Sequence, residues 1–181
     1  LEYKREEERS FTERNHKKAE DDINALVGLL YIFPIFQSLE EHDIEKIVPL
    51  LKMKKFPEGA TVIKKGDPGT NLYIIISGVL DVLVDDDICI TSMETGDVFG
   101  EISLLLGTPV SATVRVSQTA RLLYVKGKEF RELLDQYPSL QIYFARLLAG
   151  RLAKTNDDRF RDMASGISGS LSEMPPSELF Q

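Results

Sequence analysis

From Met53 onward the apolar residues stop recurring at helical spacing and begin to alternate, in short runs cut by glycine, proline and aspartate. That change of period limits this part of the chain to a β-rich core. Met53–Phe56 ends at Pro57-Glu58-Gly59, Thr61–Ile63 at Gly66-Asp67-Pro68-Gly69, Leu72–Ile76 at Gly78, Leu80–Val84 at Asp85-Asp86-Asp87, and Ile88–Met93 at Glu94-Thr95-Gly96. Two more runs follow, Ser111–Val116 and Ala120–Val125. Each run is too short for a stable helix, and the breaks carry turn chemistry. Within Leu80–Val84 the even positions, Leu80, Val82 and Val84, are the core candidates. Tyr73 and the Ile74-Ile75-Ile76 run read as core. Asp85-Asp86-Asp87 reads as a hairpin, since no glutamate follows at calcium-loop spacing.

Helical patterns flank this region. Ile23, Leu26, Val27 and Leu30 share one side of a first helix, and Ile44, Ile47, Val48 and Leu51 one stripe of a second, expected over Leu39 to Leu51. Ser38, with Glu41 three residues on, has a capping-box pattern for that helix. Lys128 to Gln136 reads as a short amphipathic helix ended by Tyr137-Pro138, after which Ser139 is the expected cap of a long helix. Its stripe of Leu140, Phe144, Leu147, Leu148 and Leu152 could pack on the core or form a homodimer seam.

Bulk properties exclude several function classes. The 181 residues carry a net charge of −7, which argues against a nucleic-acid surface and leaves any bound anion dependent on local donors. No apolar run is long enough to cross a bilayer, and the opening Leu-Glu-Tyr-Lys-Arg-Glu is not a signal peptide. Cys89 is the lone cysteine, so no internal disulfide can form, and a cytoplasmic setting is expected. The start at Leu1 reads as a piece of a longer protein. No nucleophile elbow or His-Glu-x-x-His run is present, His16 has no ligand-spaced companions, and neither enzymatic activity nor a metal or cofactor is expected.

The stretch with the most chemistry runs from Gly96 to Val116. A strand-like Asp97-Val98-Phe99 stops at Gly100, an apolar turn from Glu101 to Leu106 is closed by Gly107, and Thr108-Pro109 resets the chain. A strand, a glycine and one helical turn can hold a small anion: the first N–H groups of a helix have no partner, and a glycine lets a ligand approach the main chain.

Phe99-Gly100-Glu101-Ile102-Ser103-Leu104-Leu105, followed by Gly107-Thr108-Pro109-x-Ser-Ala-Thr-Val, resembles the phosphate-binding cassette of the cyclic nucleotide-binding domain family. That family includes regulatory subunits of cyclic-AMP-dependent kinase, cyclic-nucleotide-gated channels and the catabolite activator protein. Phe56-Pro57-Glu58-Gly59, Lys65-Gly66-Asp67, Tyr73 to Gly78 and Gly96-Asp97 extend the resemblance over Phe33 to Leu152. It implies an α+β fold: an antiparallel, jelly-roll-like β-roll of about eight strands, with N-terminal helices and two C-terminal helices. It also implies a ligand-binding set of Gly100, Glu101, Ile102, Ser103, Val110, Ser111 and Ala112, with cyclic AMP or cyclic GMP as the ligand and Glu101 accepting a bond from the ribose hydroxyl. The family's phosphate-pairing arginine corresponds here to Val110, which has no donor. A hydrogen bond to a charged group contributes about 1.5–3 kcal/mol, so its loss predicts binding weaker by about one to two powers of ten. Ser111 keeps a hydroxyl and an N–H, whereas Arg115 has the opposite strand parity to Val110 and should face away.

The chain divides in this reading into a charged helix and linker (1–30), the cyclic nucleotide-binding-like domain (31–155), and a helix extension, linker and start of a further domain (156–181). The charged N-terminal stretch is expected as a solvated helix. The last dozen residues weakly resemble the opening of bacterial PATAN-type domains, and a covalently linked upstream or downstream domain is the expected partner. Three functional readings follow: a ligand-sensing regulatory module, a scaffold that keeps the roll for dimerisation or docking, and a fragment of a transcription regulator. Val110 favours the second over a conventional cyclic-AMP sensor; Gly100, Glu101 and Ser111 keep the first.

Overall fold

The computed structural model describes residues 24–84 and 88–172, with side chains described as far as Asp157. The charged N-terminal stretch with His16 and Ile23, the Asp85–Asp87 hairpin and the 173–181 tail lie outside the described residues. The chain divides into two compact units, Leu1–Leu140 and Gln141–Gln181.

In the first unit, helix α1 (24–30) buries Val27 and Leu30 but leaves Leu26 exposed. A 3₁₀ turn at Phe36–Ser38 leads into α2 (Glu41–Ile47), and a second, Val48–Leu50, follows it. The expected helix over Leu39 to Leu51 is therefore shorter. Glu40, not Ser38, is its N-cap residue, and the Ser38 hydroxyl donates instead to the Ile35 carbonyl at 2.8 Å. Pro49 lacks the amide that an α-helix would need there, so the chain tightens into a 3₁₀ turn.

Among the described residues the sheet is antiparallel and has six strands: β1 (Lys52–Phe56), β2 (Thr61–Ile63), β3 (Asn71–Leu83), β4 (Cys89–Met93), β5 (Val98–Phe99) and β6 (Thr113–Lys126). Its main path is β1-β6-β3-β4, with β2 on β6 and β5 on β3. The eight expected strands become six because two pairs of runs are continuous. Gly78, at φ 99°, bends β3 without ending it, and Ser117 to Thr119 do the same on β6. The β3–β6 register shifts at Ser77 and Val79, where the Ser117 hydroxyl bonds the Val79 carbonyl at 3.1 Å. These paired bulges curl a long two-stranded ribbon into a roll.

Alternation sorts the side chains. Tyr73, Ile75, Leu80, Val116 and Leu122 enter the inner core, where the Tyr73 and Phe99 rings stack at 5.0 Å. Leu72, Ile74, Leu123 and Val125 are buried on the opposite side. Leu80 is core as expected, and the half-buried Val82 packs against the same inner cluster, whereas Leu83 is buried on the opposite face and Val84 is half-buried. Helix α4 (Gly127–Gln136) contacts β3 and β6 and buries Phe130, Leu133 and Leu134. The Glu129 carboxylate accepts the Lys126 amide at 3.2 Å, anchoring its first turn.

A Cβ at Gly78 would lie 2.6 Å from both the Thr119 carbonyl oxygen and the Ala120 Cα. Gly78→Ala is therefore expected to lower stability by about 2–3 kcal/mol, from strain and crowding together. Urea unfolding checks this; a midpoint unchanged from the parent chain would show that the bend does not require glycine.

Helix α5 (Pro138–Ser172), most of which belongs to the second unit, starts one residue before the expected cap, with Pro138 at its first position. Leu140 and Phe144 are buried, Leu147 and Leu148 half-buried, and Leu152 is 64% exposed. Helix α5 continues through residues 164–172 despite their glycines and serines. Once a long helix exists, adding a residue costs far less than nucleating a new one.

Candidate functional site

The site begins where β5 ends. Gly100 takes a left-handed φ of 89°, and a Cβ there would sit 2.5 Å from the Asn71 carbonyl oxygen, so the turn requires glycine. It opens α3 (Glu101–Leu106), which closes at Gly107, φ 65°. Glu101 is 1% exposed, Ser103 is buried, and Ile102 points outward at 36%. The Ser103 hydroxyl donates to the Gly100 carbonyl at 3.1 Å, bracing the turn. Among the described residues Glu101 Oε2 receives no hydrogen bond, although the residue is engaged in other interactions.

The second half is the return loop. Val110 is buried at 6%, between the exposed Pro109 and Ser111. Its N–H donates to the Asp67 carbonyl at 2.9 Å, and its own carbonyl accepts the Gly66 amide at 2.8 Å. Ala112 is half-buried. Thr113 is buried, and its hydroxyl accepts the Lys65 amide at 3.1 Å. Arg115 is half-buried on β6 between the buried Val114 and Val116, the opposite parity expected of it.

One segment serves both halves. Gly66 and Asp67 hold the return loop through Val110, while Gly69 and Asn71 lie against Ser103 and Gly100. Gly69 leaves no room for a side chain, since a Cβ would run into the Ser103 hydroxyl. Thr70 continues the connection by accepting the Gly127 amide at 2.8 Å, at the start of α4. Residues 66–71 therefore tie the α3 turn, the return loop and α4 together. The motif Lys65-Gly66-Asp67 pointed to this segment, but its role as the common support depends on long-range pairing, which local spacing does not reveal. Among the described residues no group of three His, Cys, Asp or Glu side chains could hold a metal ion. No described helix is long and apolar enough to cross a membrane.

Residues 53–137 match the family model of the cyclic nucleotide-binding domain. A cGMP-dependent protein kinase of Toxoplasma gondii is 40% identical over 106 residues, which is 58% of this chain and 11% of the kinase. The Thermus thermophilus catabolite activator protein superimposes with a TM-score of 0.62 at 25% identity, over 73% of this chain and 63% of that one. The regulatory domain of Toxoplasma gondii PKA, crystallised with cAMP, has a TM-score of 0.64 at 21% identity, over 74% of this chain and 52% of that one. The chain thus spans about a tenth of the kinase and between about half and two thirds of the two solved chains.

Proposed function

Since residues 53–137 belong to the cyclic nucleotide-binding domain family, we propose that this chain is a regulatory module whose roll senses a small ligand and whose terminal helices carry the signal to a linked domain. The reading is non-catalytic. It rests on one observation: Glu101 is buried at the first position of α3, directly after a turn that only glycine can make. Burying a carboxylate is costly, and a buried acid at the mouth of a glycine-opened turn marks a candidate binding group. The segment 66–71 supports the signalling part, because it meets both halves of the site and the start of α4. A ligand that prefers one arrangement of that segment would bias the helices that follow.

Val110 sets the affinity in this reading. With a buried isopropyl group where a guanidinium would pair a phosphate, cyclic AMP and cyclic GMP are weak ligands of the parent chain. Titration calorimetry on the whole chain tests this. Heat of binding is expected only well above micromolar nucleotide, and Glu101→Gln should weaken what binding there is by about tenfold. Micromolar or tighter binding by the parent chain would contradict the role given to Val110. The burial of Val110, with both of its backbone groups engaged, favours a second reading, a scaffold that no longer takes a nucleotide. Complete absence of binding in the parent chain and in Val110→Arg alike would select it.

A further inference from the structure

The cationic side chains of this acidic chain are not evenly spread. Strands β1 and β6 carry Lys52, Lys54, Lys55, Arg115, Arg121 and Lys126 and contain no Asp or Glu. β1 pairs only with β6 among the described strands and so forms one edge of the sheet. In an antiparallel pair every second residue turns its N–H and C=O away from the partner strand, so this edge presents unpaired backbone groups. Lys52 and Lys54 share one face of the edge, with the Lys54 ammonium 4.9 Å over the Phe56 ring. Met53, 61% exposed, and Lys55 share the other.

Lys55 lies directly opposite Arg121 in the β1–β6 register, and both are exposed. Like charges facing each other across a sheet are unfavourable. The structure gives Lys52, Lys54, Lys55 and Arg121 no carboxylate partner among the described residues. Lysines on an edge discourage pairing with a second copy, because lysine would face lysine. They do not discourage a strand of opposite charge.

We propose that the β1 edge accepts an extended acidic protein segment as an added antiparallel strand, with its carboxylates against Lys52 and Lys54 and its apolar side chains against Met53. A bare polyanion matches the charge but not the unpaired amides, and the patch is one strand wide rather than a broad face. A protein segment is therefore the occupant that satisfies both features.

The test uses the whole chain and a fluorescein-labelled eight-residue peptide alternating glutamate and valine, followed by fluorescence anisotropy. Saturable binding is expected, weakening steeply as salt rises from about 50 to 500 mM. The Lys52→Gln/Lys54→Gln chain is expected to bind about three- to tenfold more weakly, the effect of two exposed ion pairs. Both positions are exposed, and an unchanged circular dichroism spectrum establishes that the variant folds. The same peptide with alternate backbone amides methylated keeps its charge and should lose binding. Three results would overturn the proposal: no binding by the parent peptide, equal binding by the methylated peptide, or phosphatidylserine vesicles bound as tightly as the peptide. The first would leave the lysines as edge protection alone.

Discussion

Val110→Arg is expected to bind cyclic AMP about ten- to a hundredfold more tightly than the parent chain, the gain from one charge-assisted contact of about 1.5–3 kcal/mol. The structure makes the substitution a clean one. The backbone at 110 is held on both sides, by Asp67 and by Gly66, so the change adds a side chain without releasing the loop. The new guanidinium starts from a position 6% exposed, where an unpaired charge is unfavourable. The variant alone should therefore melt below the parent and recover on adding nucleotide, while the parent responds little. Calorimetry and thermal melts with and without cyclic AMP read both effects. If the variant gains neither affinity nor ligand-dependent stability, the cassette has lost more than its arginine, and the scaffold reading stands.

Phe130→Ala is expected to cost about 3–5 kcal/mol, a large share of the 5–15 kcal/mol that keeps a typical domain folded. Phe130 is 1% exposed on α4, the helix that follows β6 directly and contacts both β3 and β6. Its removal deletes a large apolar surface and leaves a cavity that the strands beneath cannot collapse to fill. Urea unfolding should show a much lower midpoint with an unchanged slope. A loss below about 1 kcal/mol would mean that α4 is not integral to the folded unit.

The short-range features of this fold were legible in the residues. Gly100 and Gly107 mark the two ends of α3, and the apolar turn between them is the helix Glu101–Leu106. Tyr73, Ile74 and Ile75 are buried, as their composition implied, whereas Ile76 is only half-buried at the bend. What misled is equally specific. Gly78 looks like a strand terminator, yet it is a bend inside β3, because a glycine with positive φ serves either purpose and the choice is made by Ser117 to Thr119 on a distant strand. Val82 packs against the inner core as alternation implies, but its neighbour Leu83 is buried on the opposite face, which the pattern of one strand does not reveal. Ser38 has the right spacing for a cap, but the nearby Ile35 carbonyl captures its hydroxyl first. At the candidate site, sequence locates Glu101 and Val110 but not their shared support, which lies some thirty or more residues upstream (about one loop closure away in chain-entropy terms).

The placement of β6 has a consequence for how the molecule comes into being. β1, β2 and β3 all pair with it, and it is the last strand of the sheet. Its ladder with β3 joins Leu83 to Thr113 at one end and Asn71 to Lys126 at the other, so neither end is a local contact. A chain emerging from the ribosome can form the β3–β4 and β3–β5 pairings early, but β2 waits without a neighbour until Val114 and Arg115 have been synthesised, and β1 until Ala120 to Tyr124 have. Assembly is thus held to a late, concerted closure, with the slow rates typical of distant strand pairing. Truncation ahead of Val114 would leave β1, β2 and β3 without their common partner rather than yield a smaller folded unit.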